Sequence, residues 1–164
     1  MDFVIRRPTL DDADAIAALH VATWRETYGR LLPDGFFTPD FVDGRRRMWR
    51  HVLGEPSDDR VVQVAESGGE LVGFAFVGPA FGPEGADLPR DRHLYSIYVR
   101  DSHHGTGIGQ ALLDAALGDG PAMLWVAKEN PRAIAFYRRN GFDFEGTEQV
   151  DDMAPAITEA LMIR

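Results

Sequence analysis

Apolar and polar positions change period several times along the chain, and each change marks an element. Phe3-Val4-Ile5-Arg6 is a short apolar run that reads as a first strand. Thr9-Leu10-Asp11-Asp12 has the form of a helix start, a Thr cap with an acid three residues on. Ala13, Ile16, Ala17, His20 and Trp24 then recur at steps of three and four, which predicts a helix with one buried face, closed by Gly29 and Pro33. A second, arginine-rich helix is predicted over 40–53, carrying Met48, Trp49 and Val52. The apolar runs 61–65 and 71–76 are joined by Ser67-Gly68-Gly69, the signature of an antiparallel hairpin. Residues 78–91 form a Gly/Pro loop, the segment best suited to move.

A strand over 93–99 follows, then a helix opening near Gly107 with Ile108, Ala111, Leu112 and Ala115 on one face. Residues 122–127 read as another strand and 130–140 as a short helix stopped by Gly141. The stretches 142–149 and 157–163 are the last strands. This order predicts an α+β fold (mixed α/β), with a central mixed sheet of about six to seven strands and about four flanking helices. No repeat or linker divides the 164 residues, so a single domain spanning 1–164 is expected.

The richest chemistry lies where the 93–99 strand meets its helix. Val99-Arg100-Asp101-Ser102-His103-His104-Gly105-Thr106-Gly107-Ile108-Gly109-Gln110 is a strand end, a glycine loop and a first helical turn. Such a loop turns several backbone N–H groups toward one point, and the helix adds its own unpaired donors and the positive end of its dipole. That arrangement holds phosphate. A nucleotide P-loop is excluded because no lysine follows the glycines. The dinucleotide fingerprint fails too, since Gln110 or Leu112 stands where its third glycine belongs. Glu129 follows at a tempting distance, but too little chain remains for the rest of a doubly wound sheet.

Charge sharpens the picture. The net charge of −9 excludes the basic footprint that nucleic acid requires. Residues 100–140 nevertheless carry five basic and four acidic side chains, so the phosphate loop sits in the part of the chain free of excess negative charge. The opposite holds from Asp143 to Glu159, with six acids and no Lys or Arg, which would draw in a cation. There is no cysteine, so disulfides, thiolate metal sites and cysteine nucleophiles drop out, and a cytoplasmic setting is expected. His103 and His104 diverge as sequence neighbours and make no metal pair. No signal peptide and no membrane span are expected, because the apolar runs fall far short of the roughly 18 residues a span needs.

Two motifs together carry a family resemblance: the strand-loop-helix Leu94–Leu113, and Asn130-x-x-Ala133-x-x-Phe136-Tyr137-x-x-x-Gly141-Phe142. With one apolar strand between them, the chain resembles the GNAT (GCN5-related) N-acetyltransferases over essentially its whole length. The segment from His20 to Tyr28 is similar to the substrate-side helix of many small bacterial members. The resemblance implies a GNAT-like sheet splayed at the cofactor strand, with acetyl-CoA as the cofactor. Its pantetheine arm would pair with Ile97, Tyr98 and Val99, and its pyrophosphate with His104, Gly105, Thr106, Gly107, Ile108, Gly109 and Gln110. Asn130, Phe136 and Tyr137 would complete the cofactor contacts. His104 departs from the Arg or Gln that usually opens the family loop, so it would add less positive charge there.

The implied reaction is direct acetyl transfer to a primary amine of a small molecule or a peptide. An alkylamine has a pKa near 10.4, so freeing it at pH 7 costs about 4.6 kcal/mol and calls for a base or a relay. The family often places a glutamate six residues before the strand-ending valine; here that position is His93, with Tyr95 or a water relay as rivals. Tyr137 stands where the family's general acid protonates the departing thiolate; the alternative is a core tyrosine sharing a face with Ala133 and Phe136. Trp24, Tyr28 and Trp49 could line an acceptor pocket, although aromatics at helical spacing also build cores. Substrate contact is therefore expected at Trp24, Tyr28 and Tyr95. A homodimer is left open. The rival function is a non-catalytic acyl-CoA-binding module, which turnover against a panel of amines separates from an enzyme.

Overall fold

The computed structural model describes residues 2–164. Strands β1 (Val4–Arg6), β2 (Val61–Ser67), β3 (Glu70–Pro79), β4 (Arg92–Val99), β5 (Met123–Ala127), β6 (Asp143–Val150) and β7 (Thr158–Ile163) are ordered β1-β2-β3-β4-β5-β7-β6. Four α-helices accompany them: α1 (Ala13–Tyr28), α2 (Pro39–Gly54), α3 (Ile108–Ala116) and α4 (Pro131–Arg139). All pairings with a defined register are antiparallel except β4 with β5, which is parallel and confined to His93↔Met123. This is the mixed α+β sheet that the hydrophobic pattern predicts. Contacts gather into two compact units, one comprising residues up to Val77 with Ser96–Gly118, the other Gly78–Tyr95 with Asp119–Arg164.

In the first unit, Ile16, Ala17 and Leu19 of α1 meet Trp49 of α2, Val64 of β2 and Phe74 of β3. Helix α1 begins one turn later than its cap signal suggests, because Leu10–Asp12 winds as a 3-10 turn first. The Thr9 N–H still donates to Asp12 Oδ2 at 2.8 Å, and Arg6 grips the same carboxylate at 2.9 and 3.0 Å. That guanidinium holds the Asp12 carboxyl below its usual pKa. Helix α2 starts at Pro39 rather than Asp40, with Thr38 Oγ1 accepting from the Phe41 N–H at 3.1 Å. Threonine cap and N1 proline are both ordinary start signals.

In the second unit β7 lies antiparallel between β5 and β6, and Leu124, Phe142 and Met162 are buried. Strand β6 is exposed throughout and lies at the sheet edge. Strand β3 runs on to Pro79, two residues into the expected loop. Gly78 permits this, because a Cβ there would fall 2.7 Å from Cε2 of Tyr95. The rest of that loop is pinched at its base by the Ala80 N–H to Asp91 oxygen bond of 2.8 Å.

Two buried histidines shape the response to acid. Burial lowers His20 to a pKa of about 3, helped by nearby Arg45, and burial lowers His93 to about 4. Both are neutral at pH 7. Below the unfolded value of about 6.5, the unfolded chain binds protons that the folded chain refuses, so stability falls with pH. The loss begins near pH 6.5 and is complete only below the two folded values. For His93 alone it amounts to about 3 kcal/mol, at 1.36 kcal/mol per pKa unit. Urea midpoints should therefore fall steadily from pH 7 to pH 4.5. A midpoint flat over that interval would mean that both imidazoles are hydrated.

Candidate active site

The first unit contains the glycine loop. Strand β4 ends at Val99, and the Arg100 N–H turns to the Val72 carbonyl of β3 at 2.9 Å. A 3-10 turn over Asp101–His103 follows. The His103 and His104 N–H groups are spent on the Arg100 and Asp101 carbonyls, at 2.9 and 3.2 Å. Among the described residues, the N–H groups of Gly105, Thr106, Gly107, Ile108 and Gly109 donate to no turn, cap or side chain. Gly105 and Gly107 have φ of +76° and +89°, a region that L side chains avoid. A Cβ on either would meet nothing within 4 Å, so open space lies before them. Gly107 is also the N-cap of α3 and offers no side chain to its donors. Backbone donors that the protein leaves unspent at a helix N-terminus fit the pyrophosphate of coenzyme A.

His104 does not extend over this cradle. Its Nε2 lies 2.8 Å from the Val99 carbonyl and its Nδ1 lies 3.3 Å from Asp101 Oδ1. The imidazole staples the loop to the strand end. Thr106 Oγ1 donates to the His103 carbonyl at 2.6 Å and tightens the same bend. Ile97, Tyr98 and Val99 form the second half of β4, all half-buried, with the Tyr98 ring 5.7 Å from His20. His20 itself accepts from Trp49 Nε1 at 3.2 Å, within a nest of Trp49, Phe74 and Tyr98. Trp49 is wholly buried, so it serves the core. Trp24 and Tyr28 are buried as well, their rings 5.0 Å apart, and Trp24 lies parallel to Phe36.

The second unit holds the remaining expected residues. His93 is the second residue of β4 and is 6% exposed. Its Nδ1 is buried and makes no hydrogen bond among the described residues. Tyr95 packs edge-on at 4.8 Å, and Phe81, from the neighbouring loop, covers both rings at 5.5 and 5.6 Å. The Tyr95 hydroxyl donates to the Pro79 carbonyl. In α4, Tyr137 is buried between Phe136 and Phe142, at 5.5 and 6.0 Å. Asn130 caps α4, its Oδ1 accepting from the Ala133 N–H at 3.2 Å. Among the described residues, no cluster of His, Asp and Glu is arranged to hold a metal ion.

The family model "Acetyltransferase (GNAT) family" matches residues 17–142, through both units. The chain belongs to the GNAT family. It is an N-acetyltransferase that uses acetyl-CoA. A probable N-acetyltransferase of Mycobacterium tuberculosis is 30% identical to it over 143 residues, 82% of this chain and 76% of that protein. The peptidyl-lysine N-acetyltransferase YjaB of Escherichia coli is 31% identical over 72 residues, 43% of this chain and 49% of that protein. Among solved structures, the PaiA N-acetyltransferase of Thermoplasma acidophilum in complex with coenzyme A superposes with a TM-score of 0.75 at 18% identity. That alignment covers 100% of this acetyltransferase and 99% of the archaeal chain, and it shows a shared fold.

The acetyltransferase contains a further contact that the sequence gives no sign of. Glu26 of α1 reaches the loop, its Oε1 accepting from Arg100 Nε at 2.7 Å and its Oε2 from the Asp101 N–H at 3.1 Å. The partners lie 74 and 75 positions apart, so no spacing rule could have paired them.

Proposed function

We propose that this GNAT enzyme transfers acetyl directly to a primary amine, with His93 as base, Tyr137 as acid and residues 104–110 holding the cofactor pyrophosphate. Acetyl-CoA supplies the acyl group as a thioester. Ile97, Tyr98 and Val99 offer strand backbone to the pantetheine arm, and the Val99 N–H can face the carbonyl oxygen as negative charge grows on it. Asn130 and Phe136 line the arm, and Tyr137 gives its phenolic proton to the sulfur as the carbon–sulfur bond breaks. The observation that carries the reading is His93 Nδ1, a buried ring nitrogen with no hydrogen-bond partner among the described residues. Leaving such an atom unpaired costs about 1–3 kcal/mol, which a donated N–H from the incoming amine would relieve.

The acceptor is a small molecule or a peptide bearing a cationic amine. Support comes from the acidic stretch of β6, β7 and their connection, where Asp151 and Asp152 help to raise the Glu159 carboxyl above its ordinary pKa, after burial as the larger cause. An approaching cation would ease that repulsion. YjaB, by its name, acts on peptidyl-lysine, an acceptor of the same class. No helix among the described residues is long and apolar enough to cross a membrane, and the cysteine-free chain suits a cytoplasmic setting.

His93→Gln tests the base. Its kcat at pH 7 should fall on the order of 100-fold, the scale of general base catalysis, with unchanged affinity for acetyl-CoA. In the wild type the acid limb of kcat should lie near pH 4, where burial places this imidazole, and not near 6.5. Wild-type turnover by His93→Gln at pH 7 would eliminate the imidazole and leave Tyr95 or a water relay.

A further inference from the structure

We infer that Glu26 is a positioning residue for the pyrophosphate loop: its one carboxylate, brought by α1, fixes both Arg100 and the Asp101 backbone where the loop departs from β4. The inference rests on the reading that residues 104–110 hold the cofactor phosphates. Each carboxylate oxygen has its own task, Oε1 on Arg100 Nε at 2.7 Å and Oε2 on the Asp101 N–H at 3.1 Å. The neighbouring bonds complete the frame. The Arg100 N–H is held by Val72, the Asp101 carbonyl accepts from the His104 N–H, and the His104 ring holds the Val99 carbonyl.

The N–H groups of Arg100, Asp101, His103 and His104 and the His104 ring are thus committed to partners within the first unit. Among the described residues, the five N–H groups that follow, from Gly105 to Gly109, are left over. A cradle of backbone donors works only if its curvature exists before the phosphate arrives, because ordering it on binding would consume affinity. His104, at the opening of the loop, is turned onto the strand end and places no side-chain cation over the donors. The loop therefore depends more heavily on being held from behind, and Glu26 is the side chain that reaches it from α1.

The ion pair itself adds little to stability. The side chains of Arg100 and Glu26 are 42% and 23% exposed, and exposed pairs are weakened by water and salt. Removing it should therefore alter the loop and leave the fold intact. Glu26→Gln is the sharpest change, since a carboxamide keeps the shape but has a single acceptor oxygen, so either Arg100 or Asp101 loses its partner. A positioning error of this kind should raise the KM for acetyl-CoA, and the Kd for CoA by calorimetry, by about tenfold. The kcat at saturating acetyl-CoA, the KM for the amine and the melting temperature should stay near wild type. Arg100→Gln breaks the pair from the other side and should weaken CoA binding in the same direction. The effects of the two variants should add to less than their sum in the double variant, because they remove one interaction.

Gly107→Val separates this idea from the reading beneath it. If Gly107→Val binds CoA normally, the loop does not hold the phosphates, and both fall. If Gly107→Val loses CoA while Glu26→Gln binds it with wild-type affinity, the role of Glu26 alone is overturned. A lowered melting temperature in Glu26→Gln, with acetyl-CoA and amine KM moved equally, would also overturn it in favour of a structural pair. Should Glu26→Gln fail to fold, Arg100→Gln decides: unchanged CoA affinity there rejects the proposal.

Discussion

Gly107→Val is expected to lose measurable affinity for coenzyme A while the protein still folds. The two halves of that expectation have separate causes. Gly107 sits at φ +89°, and a non-glycine residue held there costs about 1–2 kcal/mol, more for a β-branched one. Folded domains have about 5–15 kcal/mol in reserve, so the variant should melt some degrees lower and remain native. A Cβ at this position would meet nothing within 4 Å, so the branch starts in open space and away from the buried Ile108, Leu112 and Leu113 of α3. It would instead stand in the open space before the unspent N–H groups. Phosphate oxygens must approach those donors to about 2.9 Å, a distance that a valyl group beside them forbids. Calorimetry with CoA should show at least a 100-fold loss, the scale on which several charge-assisted bonds vanish together. Unchanged affinity in a folded variant would move the cofactor away from this loop.

How much of this could be read in advance depended on how local each cause was. The glycine loop was legible because its requirements are conformational: positive φ at Gly105 and Gly107, and donors at a helix start, are fixed by residues within a few positions of one another. The helix and strand order followed from apolar period in the same way. The ends were less legible. Strand β3 gained Gly78 and Pro79 because Tyr95, 17 positions from Gly78, lies against the bare glycine. The Thr38-Pro39 start of α2 was readable from its own residues and shows that a cap signal outranks the first charged residue.

Burial lay further out of reach. His93 reads as an ordinary imidazole in sequence, and only the packing of Phe81 and Tyr95 shows why its pKa drops to about 4. His20 likewise falls on an apolar helix face, but its acceptor role toward Trp49 needs two helices to meet. His104 illustrates the converse. Its sequence position suggested a weak phosphate ligand, whereas local geometry spends the ring on Val99 and Asp101. The Glu26 contact belongs to the same class of long-range cause.

Tyr137→Phe should lower kcat on the order of 100-fold, toward the lower end of what general acid catalysis supplies. The magnitude follows from proton affinity. A phenol ordinarily titrates near 10 and a thiol near 8.5, so the proton moves slightly uphill to the departing sulfur, and the gain is smaller than for a matched acid. Phenylalanine retains the ring that contacts Phe136 at 5.5 Å and Phe142 at 6.0 Å, so most of the packing survives the change. The melting temperature should therefore stay within a few degrees, since the variant keeps its buried aromatic core. Affinity for CoA should also hold, as the cofactor grip proposed here comes from backbone donors. An acid that acts only as the bond breaks lowers kcat and kcat/KM by the same factor. If instead CoA affinity falls and kcat survives, Tyr137 is a binding residue, and the thiolate leaves without its help.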